Sequence, residues 1–178
     1  MSIRGIRGFN CVFYDSNDHS IRPSILLQFR MYTSLFSSLI PDTAPPAGWQ
    51  SQPIPHCISR LTAFFAFQRE LMRTEAAWLA GVPYWDAKIA IAKHVLEDAQ
   101  HAEALLKRLH ELKATAAEHK QVEGLDEFVR ELASARNGDE WLRGLYQQVK
   151  PWYVAQLESY LNESDPVMDA PSREVITR

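Results

Sequence analysis

From Cys57 to Leu112 the chain keeps a helical period on both sides of a three-residue break, and this constrains its fold more than any other feature. Leu61, Phe64, Phe65, Leu71, Met72, Trp78 and Leu79 recur at mostly helical spacing, one stripe on a first helix from about Cys57 to Ala80. Gly81-Val82-Pro83 then interrupts it, with Gly suited to a left-handed cap and Pro to opening the next helix. A second stripe, Ile91, Val95, Ala102, Leu105, Leu109 and Leu112, predicts a helix from about Pro83 to Glu118 whose polar end "KATAAEHK" projects into solvent. So tight a connection makes the two helices antiparallel neighbours, and the fold class that follows is all-α.

The rest of the chain fits around that hairpin. Leu125 to Arg136 reads as a short amphipathic helix ending at Asn137-Gly138, after which Asp139 is placed to cap a third long helix through Leu161. Its stripe is Leu142, Leu145, Val149, Trp152, Tyr153, Leu157 and Tyr160 or Leu161, and Pro151 within it predicts a kink. Beyond Asp165-Pro166, "DAPSREVITR" reads as the beginning of a further helix. Before the hairpin, residues 1–23 show no sustained period, Ser24 to Ile40 reads as a short amphipathic helix docking on the main body, and Pro41 to Pro55 carries five prolines and reads as an extended linker. The expected organisation is therefore an N-terminal extension, 1–56, and a helical domain, 57–178.

Composition narrows the function classes. A chain of 178 residues with 46% apolar and 23% charged content can bury one real core. Nineteen basic against 22 acidic residues give a net charge of -3, which provides no broad basic surface for nucleic acid or an anionic membrane. Cys11 and Cys57 follow no metal-binding or redox spacing, and no segment has the pattern of a signal peptide or a membrane span, so a cytoplasmic setting is expected. Nucleophile motifs, glycine-rich phosphate loops and zinc-finger spacings are absent from the sequence. Trp78, Trp85 and Trp152 are expected to pack in the core or at its rim.

The candidate site comes from polar residues on apolar stripes. Leu61, Gln68 and Glu75 form one row on the first helix, which turns the Glu75 carboxylate inward. On the second helix, within "HVLEDAQH", His94, Asp98 and His101 stand at i, i+4 and i+7 in the sector of Ile91, Val95, Ala102 and Leu105, whereas Glu97 and Glu103 point elsewhere. Charged groups buried singly cost several kcal/mol, so these four residues are expected to meet one another or a cation.

A buried Glu on the first helix of a hairpin, followed on the second by an acid-x-x-His in "EDAQHAEALLKRL", resembles the half-site of ferritin-like di-iron carboxylate proteins. The likeness covers roughly residues 57–178; "LAGVPYWDAKIAIAKHVLEDAQHAEALLKRLHEL" with "ESDPVMDAP" is similar to a bacterial group of that superfamily without assigned activity. It implies a ferritin-like antiparallel bundle, here incomplete, with three long helices plus an N-terminal one. It also implies Glu75, Asp98 and His101 as metal ligands, with His94 a further candidate from its inward position, iron or manganese as the cofactor, and oxidoreductase chemistry. Departures are plain. Asp98 stands where Glu is usual, the third helix presents Tyr153, Gln156 and Tyr160 inward with Glu158 beside the stripe, and no second Glu-x-x-His follows.

Two readings stay open. In the first, one metal ion held by Glu75, Asp98 and His101 activates dioxygen in the bundle core. In the second, the fold is a non-catalytic scaffold or interaction module in which Glu75 accepts hydrogen bonds from His101 and His94, and Asp98 orients one ring. In both, three long helices leave a groove lacking one wall, so a homo-oligomer, or the helix at 24–40, is expected to cover it.

Overall fold

The computed structural model describes residues 54–114, 117 and 121–178, and all regular structure among them is helical. The expected helix at 24–40 and nearly all of the proline-rich linker lie outside the described residues. The hairpin is as anticipated: α1, Ile54–Trp78, packs along α2, Trp85–Glu111. Pro55, assigned from sequence to the linker, instead occupies the first turn of α1, where a missing N–H costs nothing.

The turn between them differs in detail. Gly124 is the one glycine with positive φ among the described residues, so Gly81 does not take a left-handed cap. Pro83 stays outside α2, whose N-cap is the extended Tyr84. A second correction concerns the end of α2, which stops at Glu111. Leu112 caps it, Lys113 adopts φ 60°, and the Ala114 N–H returns to the Leu109 carbonyl at 2.9 Å while the Lys113 N–H returns to His110 at 3.0 Å. This is the Schellman closure with lysine where glycine is the norm, so the sequence carries no stop signal there. Ala117 beyond it is buried, so that position does not project into solvent, while most of the rest of the expected projecting end lies outside the described residues.

Next come α3, Leu125–Ala133, and α4, Gly138–Arg143, capped by Asn137 rather than by Asp139: the Asn137 side chain accepts the Glu140 N–H at 2.9 Å. The chain continues through a π-helical stretch, Gly144–Val149, into α5, Lys150–Glu163. Pro151 explains the stretch, because its ring needs room against the preceding turn and it donates no hydrogen bond. The anticipated kink is thus a widened turn. Where it meets α5, Val149 and Lys150, neighbours in sequence, are both buried. Finally α6, Ala170–Thr177, lies against α2 and α5 and supplies part of the fourth wall through Ile176 and Val175.

The core runs the length of the hairpin. Phe64, Phe67, Tyr153 and Tyr160 pack edge-on or tilted around its middle, Phe67 also meeting Phe128 and Trp152. Trp78 stacks on Trp141 at the turn end. Trp85 is the exception among the described tryptophans: it is 72% exposed and packs in no core. With Ile89 and Leu96, also exposed, it marks an apolar line on the outer side of α2.

Candidate functional site

Glu75 is fully buried, and Gln68 and Asp98 nearly so, which bears out the inward row of α1 and the inward acid of α2. What meets them is a residue that the sequence reading passed over. Lys150 Nζ stands 2.7 Å from Glu75 Oε1 and 3.2 Å from Asp98 Oδ2, with the lysine itself almost inaccessible. On the other side of the Asp98 carboxylate, Gln68 Nε2 donates to Oδ1. One ammonium thus joins α1, α2 and α5, and the Tyr146 ring lies 5.4 Å from it.

The electrostatics follow from burial. Desolvation pushes the Glu75 carboxyl up to about 8, with the Lys150 charge opposing and the Asp98 charge adding to the rise. At neutral pH the cluster is then a protonated Glu75 beside an Asp98–Lys150 pair, with no net charge. That is the least costly way to bury three ionisable groups. His94 Nδ1 and the Tyr146 hydroxyl share a hydrogen bond of 2.7 Å at the edge of the cluster. Burial lowers the His94 pKa, reinforced by the charge of Lys150, so the ring is neutral; burial also holds the Tyr146 phenol protonated.

A cavity of about 90 Å³ opens beside this layer. Leu71, Leu105, Leu157, Val175 and Ile176 form its apolar walls, and His94, Glu97, Asp98, His101 and Lys150 its polar side. At that volume it accommodates several water molecules.

The four residues singled out from sequence are therefore near one another, but in other roles than expected. Glu75 and Asp98 converge on Lys150; Glu75 is met by that lysine and not by His101. His94 is bound to Tyr146, and His101 is half-buried on the cavity wall. Lys150 escaped notice because it precedes Pro151 and a lysine is ordinarily exposed, although an ideal helix sets it on the side of Tyr153 and Leu157, three and seven positions on. An unpaired inward Glu75 and Asp98 were the available signal, since two buried acids call for a cation.

Comparison with protein families, with curated proteins and with solved structures found no match to this chain.

A metal of the kind that the ferritin-like resemblance implies does not fit the donor set as placed. The ammonium of Lys150 takes the position between the two carboxylates that a cation would take. Among the described residues no group of three or more His, Cys, Asp or Glu side chains is arranged to hold one ion.

Proposed function

We propose that this chain is a ferritin-like helical scaffold that works without a bound metal, its own lysine supplying the positive charge at the centre of the bundle. The observation that carries this is the placement of Lys150 Nζ within 2.7 Å of Glu75 and 3.2 Å of Asp98. An ammonium there occupies the place between the two carboxyl groups that iron or manganese would take, and a divalent cation added beside it would face a like charge at contact distance. The reading favours a role in holding partners or copies of itself over dioxygen chemistry. A second copy of the chain is the partner expected, and the exposed line Trp85, Ile89 and Leu96 supports that expectation. With a net charge of -3 and no helix among the described residues long and apolar enough to cross a membrane, neither nucleic acid nor a bilayer is proposed as a partner.

Elemental analysis of protein purified without added metal tests the proposal. Iron, manganese and zinc well below one ion per chain are expected. Stoichiometric iron or manganese in the parent that disappears in Glu75→Gln would overturn it.

A further inference from the structure

We infer that two copies of this chain pair along the outer face of α2, antiparallel and in one register, about a two-fold axis that passes between residues 90 and 91. The inference rests on the scaffold reading above, from which it takes the second copy as partner, and it adds the surface and the geometry by which that copy is held.

The outer face of α2 carries a seam and not a scatter of apolar residues. Trp85, Ile89, Ala92 and Leu96 are all exposed and follow one another at steps of four, three and four, the spacing that keeps one narrow stripe turned toward a partner helix. They cover three turns, roughly 17 Å of the helix. On a regular helix this stripe lies across from Ile91, Leu105 and Leu109, the buried residues of the inner face.

A surface that pairs with its own copy about a two-fold axis must be complementary to itself, and this one is. With the axis between residues 90 and 91, Trp85 meets Leu96 of the second copy in each end layer, and Ile89 meets Ala92 of the second copy in each middle layer. Packed helices cross at an angle and diverge from their closest point, so the small Ala92 belongs near the centre and the large Trp85 at the ends. A slip of one heptad toward the far end of α2 would set Trp85 against the exposed Glu103, which disfavours that register.

The charges select the direction. In an antiparallel pair like edges of the two helices meet, which brings Asp86 beside Lys93 of the second copy, and the symmetry makes the contact twice. Both residues are exposed, and neither forms an ion pair among the described residues. A parallel pair would instead bring Lys93 toward Lys88 of the second copy, five positions earlier, a contact of like charges. In the antiparallel pair Lys88 lies on the other edge, where its ammonium donates to the Ala80 carbonyl at 3.2 Å.

Sedimentation equilibrium of the full chain over about 1–300 μM reads the outcome, because three turns of seam make a small interface and hence a concentration-dependent dimer. A monomer–dimer equilibrium is expected. Leu96→Glu, which puts a charge into both end layers, is expected to weaken the dimer about 100-fold while keeping the helical circular dichroism spectrum of the parent, and Trp85→Ser, in the same layers, is expected to act alike. Lys93→Asp is expected to weaken it about tenfold by creating two like-charge contacts, and Asp86→Lys added to that variant to restore the parent affinity. A monomer at every concentration would overturn the proposal and leave the seam to another segment of this chain or to a different protein. A dimer that Leu96→Glu and Trp85→Ser both leave intact would overturn it too, and so would a double charge exchange that binds no tighter than Lys93→Asp alone. None of these results bears on metal content: a monomer free of iron and manganese would sink this inference and leave the metal-free scaffold standing, and a dimer with stoichiometric iron would do the reverse.

Discussion

Lys150 and Glu75 lie on helices far apart in sequence, yet the lysine Nζ sits 2.7 Å from Glu75 Oε1 with both side chains shut off from solvent. The contact ties α5 to the inner face of α1 at the level where α2 contributes Asp98. Breaking such a group by removing one member strands the others, whereas removing it as a unit lets apolar packing substitute.

The stability of single and combined variants should show this asymmetry. Lys150→Met is expected to cost about 3–5 kcal/mol, because it leaves Asp98 and Glu75 buried without a cation. Adding Glu75→Gln and Asp98→Asn to it should recover most of the loss. Urea denaturation of the parent, the single variant and the triple variant provides the comparison, and additive losses would show that the three groups do not act together.

Stability should also depend on pH through two buried groups of opposite sign. The Glu75 pKa is raised to about 8, so the folded state holds a proton that the unfolded state gives up near the ordinary carboxylate value. Its contribution is fully present below that ordinary value and declines as the pH rises toward about 8. His94 has the opposite sign: its folded pKa is lowered, so its contribution is present above the ordinary histidine value and is lost as the pH falls through the folded one. Burial is the main cause of both shifts; Lys150 and Asp98, and for His94 also Glu97, are the charged neighbours that modify them, and the Tyr146 hydroxyl faces His94. Melting temperatures across the pH range should lose their decline between the ordinary carboxylate value and about pH 8 in Glu75→Gln and soften their acid decline in His94→Gln.

How much of this the sequence discloses depends on whether a residue obeys a regular helix. The row Leu61, Gln68 and Glu75 projects inward from a regular α-helix, and all three are buried as that geometry requires. Asp98 likewise follows its stripe. Lys150 shares the face of Tyr153 and Leu157, but it follows a Gly144–Val149 stretch that departs from the α period, and no propensity of those six residues announces a π turn. The end of α2 was hidden for a similar reason, a left-handed position filled by Lys113 without the customary glycine. Metal ligands were inferred from residue types, their spacing and the ferritin-like resemblance. Types show which groups want a positive charge; they do not show whether an ion or another side chain provides it.

The turn between α1 and α2 gives a test at the opposite end of the bundle. A Cβ placed on Gly138 would lie 3.2 Å from Val82 Cα and 3.3 Å from Pro83 Cδ, backbone and ring atoms that cannot swing aside. Gly138→Ala is therefore expected to push α4 off the turn and disturb the Trp78–Trp141 stack behind it, at about 1–3 kcal/mol. Near-ultraviolet circular dichroism should record the loss of tryptophan order together with the drop in midpoint. Gly144→Ala is the control, since a Cβ there meets only Leu132 Cδ1 at an ordinary 3.8 Å.

Lys113 offers a gain of stability. It holds φ 60° at the residue after the cap of α2, where an L side chain crowds its own backbone and glycine does not. The hydrogen bonds that close the turn, Ala114 N–H to the Leu109 carbonyl and Lys113 N–H to the His110 carbonyl, belong to the backbone and survive any substitution that keeps the angle. Lys113→Gly relieves the crowding in the folded state, while the greater freedom of glycine in the unfolded chain offsets part of the benefit. The net expected is a stabilisation of about 0.5–1 kcal/mol, against a small loss for Lys113→Ala, which removes the same charge but keeps a Cβ. Equal midpoints for the two variants in parallel urea titrations would show that the left-handed turn does not form in solution.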